Sequence, residues 1–337
     1  MSERANPILV EVTRGGRVES VHRGRVAVVD SQGAAIFEVG DVEATIFPRS
    51  AAKPLQALVL VESGAAEAYG LGEQQLALAC ASHEGEPRHV QLVGEWISHL
   101  GLSPSALECG AHWPYHAASQ RQLAAIAAEP TTLHNNCSGK HAGFLTTALH
   151  LGVDHVGYVA EDHPVQRLVR DMLAEMCGVE GEDLPYGVDG CAIPTYALPL
   201  SALALGMARL AHPDALAPAR RAAARRVVEA MTREPFLVAG SDRYCTRLMS
   251  AGRGAAVVKS GAEGVYTGAL PGTGVGIAIK CDDGAGRAAE VMMTAVLRRL
   301  GTFDHAVARR APELDRVAVR NRRGVEVGEL RAVGALA

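Results

Sequence analysis

Residues 254–283 read GAAVVKSGAEGVYTGALPGTGVGIAIKCDD, in which VVKS and VGIAIK flank glycine-rich turns. Short apolar runs rich in β-branched residues and punctuated by glycine predict strands. The same signal stands at the other end of the chain, where LVEVT over 8–13 and then RVAVVD and AAIFEVG over 25–39 are separated by turns at 15–16 and 31–33. Between the two strand groups the periodicity becomes helical. From Ser50 onward Leu55, Leu58 and Val59, then Val61 and Ala65, recur near the spacing of one helix face, so a helix is predicted at or just after Pro48. Further helices are expected over 86–100, 164–177 and 196–232, interrupted by NNCSGK and DLPYGVDGCAIP, with a last one at about 285–300. Residues 312–337 add one more candidate strand, VAVRN. This order predicts an α+β fold: an antiparallel sheet shared by N-terminal strands (about 8–48) and C-terminal strands (about 254–283), covered by a central helical block at about 50–250. No repeat or low-complexity linker breaks the chain, so residues 1–337 are expected to form a single domain.

Composition narrows the function. The opening MSERANPILVEV lacks the basic start and continuous apolar stretch of a secretory signal, and no run approaches the roughly 18 apolar residues of a membrane span. A net charge of −4 and an aromatic content of 4% leave neither the basic stripe nor the stacking surface that nucleic acids require. The seven cysteines, Cys80, Cys109, Cys137, Cys177, Cys191, Cys245 and Cys281, are odd in number and scattered, which suits reduced thiols in a cytoplasm. A cytoplasmic protein acting on a small molecule is expected, without nucleic acid or membrane partners.

Only four of the 33 basic residues are lysines: Lys53, Lys140, Lys259 and Lys280. Arginine supplies charge wherever any cation serves, so the lysines mark places where a group able to lose its proton matters. In FPRSAAKPLQ, Ser50 and Lys53 are spaced so that a helix sets both on one face. A serine hydroxyl becomes a nucleophile when a neighbouring base takes its proton, and a desolvated lysine can be that base. Pro54 is compatible with a first helical turn, which places the helix start close to Ser50. Alone, the pair is short enough to arise by chance.

Its company is more specific. Residues 258–262, VKSGA, put Lys259 on a predicted strand before Ser and Gly, similar to the K-T-G element of penicillin-recognising serine enzymes. Lys259 is placed to hold a carboxylate or tune Ser50, and the backbone N–H groups of Ser50 and Ala262 to form an oxyanion hole. Ser82, in CASHEGEP, either relays a proton between lysine and leaving amine or caps a helix whose first turn carries Glu84 and Glu86.

Taken together, VTRGGRVESVHRG, FPRSAAKPLQ, CASHEGEP, ECGAHWPYH, NNCSGKHAGF and GVDGCAIP, in this order, resemble the thermolabile L-asparaginase group first described from rhizobia. The resemblance implies hydrolysis of L-asparagine on a serine β-lactamase/glutaminase-like fold, usually as a homodimer. It implies Ser50 and Lys53 as the primary pair and Ser82 and Lys259 as the supporting pair. It also implies a metal site at Cys137, Lys140 and Cys191, where two thiolates and a neutral amine can bind Zn²⁺ with a water in the fourth place. The alternative is that both cysteines are small buried turn residues and Lys140 pairs locally. The covalent chemistry itself requires no cofactor. His141 is a candidate to hydrogen-bond substrate or ligand, and Asp189 to bind the substrate's α-ammonium. Arg49 either binds its α-carboxylate or stays on the surface. Three other readings remain: another Ser-x-x-Lys amide hydrolase acting on glutamine or a β-lactam, zinc-hydroxide hydrolysis, and a non-catalytic amino-acid or zinc sensor.

Overall fold

Val26, Ala27 and Val28 pair antiparallel with Ile279, Ala278 and Ile277, and this ladder joins the N- and C-terminal strand groups into one sheet. The structure is a computed structural model that describes residues 5–181 and 184–337. Met1–Arg4, at the start of MSERANPILVEV, and Glu182–Asp183, where DLPYGVDGCAIP begins, lie outside the described residues. The chain divides into two compact units, one taking residues 1–51, 198–212 and 247–337, the other 52–197 and 213–246.

The first unit holds the sheet. Its N-terminal strands are β1 (Ile8–Arg14), β2 (Arg17–Val29), β3 (Ala35–Val39) and the two-residue β4 (Thr45–Ile46). In the second unit β5 (Tyr186–Val188) and β6 (Pro194–Tyr196) form a hairpin; β7 (Leu198–Pro199), back in the first unit, pairs with β4. The chain then adds β8 (Val257–Gly261), β9 (Val265–Leu270), β10 (Val275–Cys281), β11 (Val317–Arg320) and β12 (Glu326–Ala332). The sheet runs β11-β12-β1-β2-β10-β9-β8, with β3 on the other edge of β2. VAVRN is thus β11, and β12, which no sequence signal marked, carries it onto β1.

Two helices cover the sheet on opposite faces. A Cβ on Gly276 would lie 2.0 Å from the Ala204 carbonyl oxygen and 2.2 Å from the Ala208 nitrogen, so the helix Leu200–Ala211 presses on that face. Side chains of adjacent strand residues point to opposite faces. Ile277 accordingly faces the other way, beside Gly268, whose Cβ position is 3.6 Å from Met293 of the helix Gly286–Arg299. Burial on both sides explains why residues 26–29 of β2 and 275–279 of β10 read as continuous apolar runs instead of alternating ones.

The second unit is helical. Proline opens Pro87–His99, Pro164–Cys177 and Pro218–Arg233, where its missing N–H costs nothing. Left-handed glycines at Gly152 and Gly178 close Ser138–Leu151 and Pro164–Cys177. The single helix expected over 196–232 is instead β7, the helix Leu200–Ala211, a 3₁₀ turn at Pro213–Ala215 and the helix Pro218–Arg233. Pro213 and Pro218 cannot sit in a helix interior, and each begins a new element. Gly276→Ala should destabilise the protein by about 1–3 kcal/mol or more, because the clash is with backbone. Gly272→Ala, with open space around it, is the control, and denaturant midpoints provide the comparison.

Candidate active site

In the first unit the segment leading to Ser50 lies on the sheet. Lys259 of β8 is directly opposite Thr267 of β9, and the Thr267 hydroxyl donates to the Ala51 carbonyl at 2.9 Å. A Cβ on Gly261 would stand 2.7 Å from the Pro48 oxygen and 3.0 Å from the Ala51 nitrogen. Lys259, Gly261 and Thr267 share one face by strand alternation, so residues 48–51 rest on the face that carries Lys259. Lys259 is 1% exposed and donates to the Ser260 carbonyl at 2.7 Å. Ala262 is exposed in the turn that follows, beside Glu263 at φ 59°.

Ser50 itself is half-buried on the 3₁₀ turn Arg49–Ala52, and the α-helix starts at Lys53 with Pro54 in its first turn. Arg49, immediately before Ser50, has φ 51°, a left-handed conformation that a long side chain adopts at a cost of about 1–2 kcal/mol. Strain of this kind persists where the surrounding structure imposes it, often at functional sites.

In the second unit Lys53 is buried, at 1% exposure. Its amine donates to the Ala81 carbonyl at 2.5 Å, to the Ser82 hydroxyl at 3.1 Å and to the Cys137 sulfur at 3.1 Å. Ser82 sits in the loop between the helices Glu73–Ala79 and Pro87–His99. Glu86, not Ser82, occupies the N-cap of the latter, which removes the capping reading. Glu84 and Glu86 instead bind the 240–243 segment: Arg243 donates to Glu84 at 2.7 Å, and the Ser241 hydroxyl to Glu86 at 2.7 Å.

Cys137, Lys140 and Cys191 come together in the same unit. Lys140 donates to the Cys191 sulfur at 3.0 Å. A hydrogen bond from the Cys191 thiol, with the nearby Lys53 and Lys140 charges, pulls the Cys137 thiol well below the ordinary range against the opposing effect of burial. The same hydrogen bond and burial push Cys191 up. Burial depresses the Lys140 ammonium, but the Cys191 and Cys137 sulfurs outweigh it and the net shift is upward. Asp189 and Cys191 lie on the turn between β5 and β6, closed by the Asp189 N–H on the Ile193 carbonyl at 2.8 Å. Asp189 adds to the field that raises Lys140. His141 is fully buried, its Nδ1 2.6 Å from the Tyr158 hydroxyl, and burial followed by Lys140 and Lys53 holds its pKa well below the usual imidazole value.

The link from Lys53 to Cys137 was not legible in the sequence, because the residues are far apart in the chain. Tyr158 was missed as well, carrying no motif of its own. A further trio, His22, Cys281 and Asp283 in the first unit, brings potential ligand atoms within 4.8 Å of one another. Asp283 already takes His22 Nδ1 at 2.6 Å and the Cys281 thiol at 3.0 Å. All seven cysteines are buried and free of disulfides.

With this geometry in place, the chain's relatives can be stated. Residues 10–332 match the family described as L-asparaginase II. The chain belongs to that family. No curated protein matches it. Among solved structures it is similar to Mglu in its native form in 4.3 M NaCl, at 16% identity and TM-score 0.45, covering 87% of this chain and 61% of Mglu. It is also similar to a protein of Bacteroides dorei DSM 17855 provisionally designated a beta-lactamase, at 13% identity and TM-score 0.42, covering 77% and 84% of the two chains. Simvastatin synthase (LovD) from Aspergillus terreus, LovD6 mutant, matches at 10% identity and TM-score 0.38, covering 86% and 93%. Among the described residues no helix is long and apolar enough to cross a membrane.

The depressed Cys137 thiol implies a thiolate well below the pH of about 8.5 at which a free thiol ionises. Metal-free protein near neutral pH should therefore show thiolate absorbance in the far ultraviolet, lost when Cys137 and Cys191 are both replaced by serine. Wild-type absorbance that appears only above the free-thiol range would contradict it.

Proposed function

We propose that the chain hydrolyses L-asparagine to L-aspartate and ammonia through an acyl-enzyme on Ser50, residues 1–337 serving as a single asparaginase domain. The observation that carries this reading is Lys53, buried one helical turn after Ser50 with the Ser82 hydroxyl as one of its three partners. Family membership supplies the substrate class.

Lys53 as a neutral amine takes the Ser50 proton while Oγ bonds to the side-chain amide carbon. The oxyanion is received by the backbone N–H groups of Ser50 and Ala262. As the C–N bond breaks, the Lys53 proton passes through Ser82 to the leaving nitrogen and ammonia departs. Water then attacks the ester, its proton returns through Lys53 to Ser50 Oγ, and aspartate is released. Lys259 supports the developing charge on Ser50. Arg49 holds the α-carboxylate, Asp189 the α-ammonium, and His141 a further polar atom of the substrate.

Cys137, Lys140 and Cys191 suit a zinc ion, since the buried Cys191 sulfur lies within hydrogen-bond distance of both the Lys140 amine and the Cys137 sulfur. When bound it would polarise or orient the substrate, and none of the covalent steps above depends on it. We further propose a cytoplasmic homodimer, on the sequence reading alone.

Ammonia release from asparagine, assayed beside glutamine and a chromogenic β-lactam, tests the reading. Wild type should turn over asparagine, Ser50→Ala should have no activity, and part of the activity should survive chelation. Lys53→Arg keeps the charge and should lose turnover, whereas near wild-type ammonia release would remove Lys53 as the base. Tight asparagine binding without turnover of any substrate would favour a sensor. Gly261→Ala should displace the turn before Ser50 and cost about a hundredfold in kcat at retained fold, since misplacement by an ångström is that expensive.

A further inference from the structure

Tyr158 belongs to no sequence motif, yet it is fully buried and fixed from several sides within the second unit. The Glu108 backbone N–H donates to its hydroxyl oxygen at 3.0 Å, and Gln166 Nε2 donates to its carbonyl at 2.9 Å. The Glu108 carboxylate in turn accepts the N–H of Gly157, the residue before it, at 2.7 Å. Glu108 opens ECGAHWPYH, a block to which the proposed reaction assigns no role.

The Tyr158 hydroxyl lies 2.6 Å from His141 Nδ1, and the two rings meet edge to face at 5.4 Å. A phenol has one hydrogen to give. With the Glu108 N–H already pointed at its oxygen, His141 Nδ1 is the acceptor that the structure places for that hydrogen, whereas an Nδ1–H donated to the phenol would leave the phenol hydrogen without one among the described contacts. The imidazole hydrogen then resides on Nε2. His141 Nε2 is buried and has no hydrogen-bond partner among the described residues. A buried donor without an acceptor is rare and asks for a missing partner.

We infer that Tyr158 is a positioning residue that keeps the hydrogen of His141 on Nε2, so that the site offers an N–H donor to an oxygen of the substrate. This rests on the reading of His141 as a substrate contact. The chemistry it selects is an acceptor, an amide or carboxylate oxygen, and not the α-ammonium. It also separates His141 from the adjacent Lys140, because a nitrogen carrying a hydrogen has no lone pair for a metal.

Nitrogen-15 NMR of the full-length protein labelled at histidine tests this, with His141→Gln assigning the resonance. Wild type should show a protonated Nε2 and an unprotonated Nδ1, and Tyr158→Phe should redistribute the hydrogen between them. A bare Nε2 in wild type, or a pattern that Tyr158→Phe leaves unchanged, overturns the inference. The wild-type spectrum decides even where a variant folds poorly, and it does not depend on asparagine being the substrate. In kinetics, Tyr158→Phe should raise KM about tenfold with a smaller change in kcat, as expected for a contact made in ground and transition states alike. Glutamine places an amide N–H near the position of Nε2 without help from Tyr158. Adding Tyr158→Phe to His141→Gln should therefore change kcat/KM by less than about twofold, and an equal loss in both backgrounds would make Tyr158 merely structural.

Discussion

A lysine can be buried only if each of its hydrogens finds an acceptor, because an unpaired charge inside a protein costs several kcal/mol. Lys53 meets this constraint with a backbone carbonyl, a hydroxyl and a sulfur. Those partners come from the end of the helix Glu73–Ala79 and its following loop, and from the residue that caps Ser138–Leu151. Two segments of the second unit, the loop at Ala81–Ser82 and the turn at Cys137, are thus tied to one amine. A carbonyl cannot move a proton, but the hydroxyl of Ser82 can, and this makes the arrangement chemical as well as structural. As a neutral amine, Lys53 would keep two hydrogens and could accept from Ser82, so the same contact serves both directions of transfer.

The first unit solves a different problem, the close approach of a turn to a strand. Gly261 leaves room for the Pro48 carbonyl and the Ala51 nitrogen, and Thr267 bonds the Ala51 oxygen from the same face. The turn is pressed closely enough that Arg49 takes a left-handed conformation normally left to glycine. An arginine kept at such a position trades backbone ease for a side chain next to the nucleophile candidate.

Much of the architecture was legible because local patterns carried it. The β-branched runs around Val26 and Ile277 read as strands, and 164–177 read as a helix because its apolar face, opening proline and closing glycine agree. The stretch 196–232 misled because alanine and leucine satisfy a helix everywhere, while Pro213 and Pro218 set the actual breaks. In the candidate site, sequence motifs pointed to Ser50, Lys53, Lys140, Cys191 and Lys259 as expected site residues. What escaped was the pairing of motifs with one another. Nothing near Cys137 in the chain says that it faces Lys53, and nothing near Tyr158 says that it completes His141. Such contacts are set by packing between loops, turns and helices that the sequence pattern does not link.

The four charged or ionisable groups around Lys140 also constrain one another. With Lys140 as ammonium and Cys137 as thiolate, the two charges cancel, and Cys191 remains a thiol that donates to Cys137. A divalent cation held by both sulfurs and the Lys140 amine would require one proton to leave Lys140 and one to leave Cys191. Two positive charges then replace two protons, and the sum around Lys53 stays as it was. The donor set can therefore change hands between protons and a metal without altering the net field at the amine next to Ser82. On the proposed zinc reading a lysine would suit position 140, because an arginine could not surrender its proton and a third cysteine would leave the buried cluster with an extra negative charge.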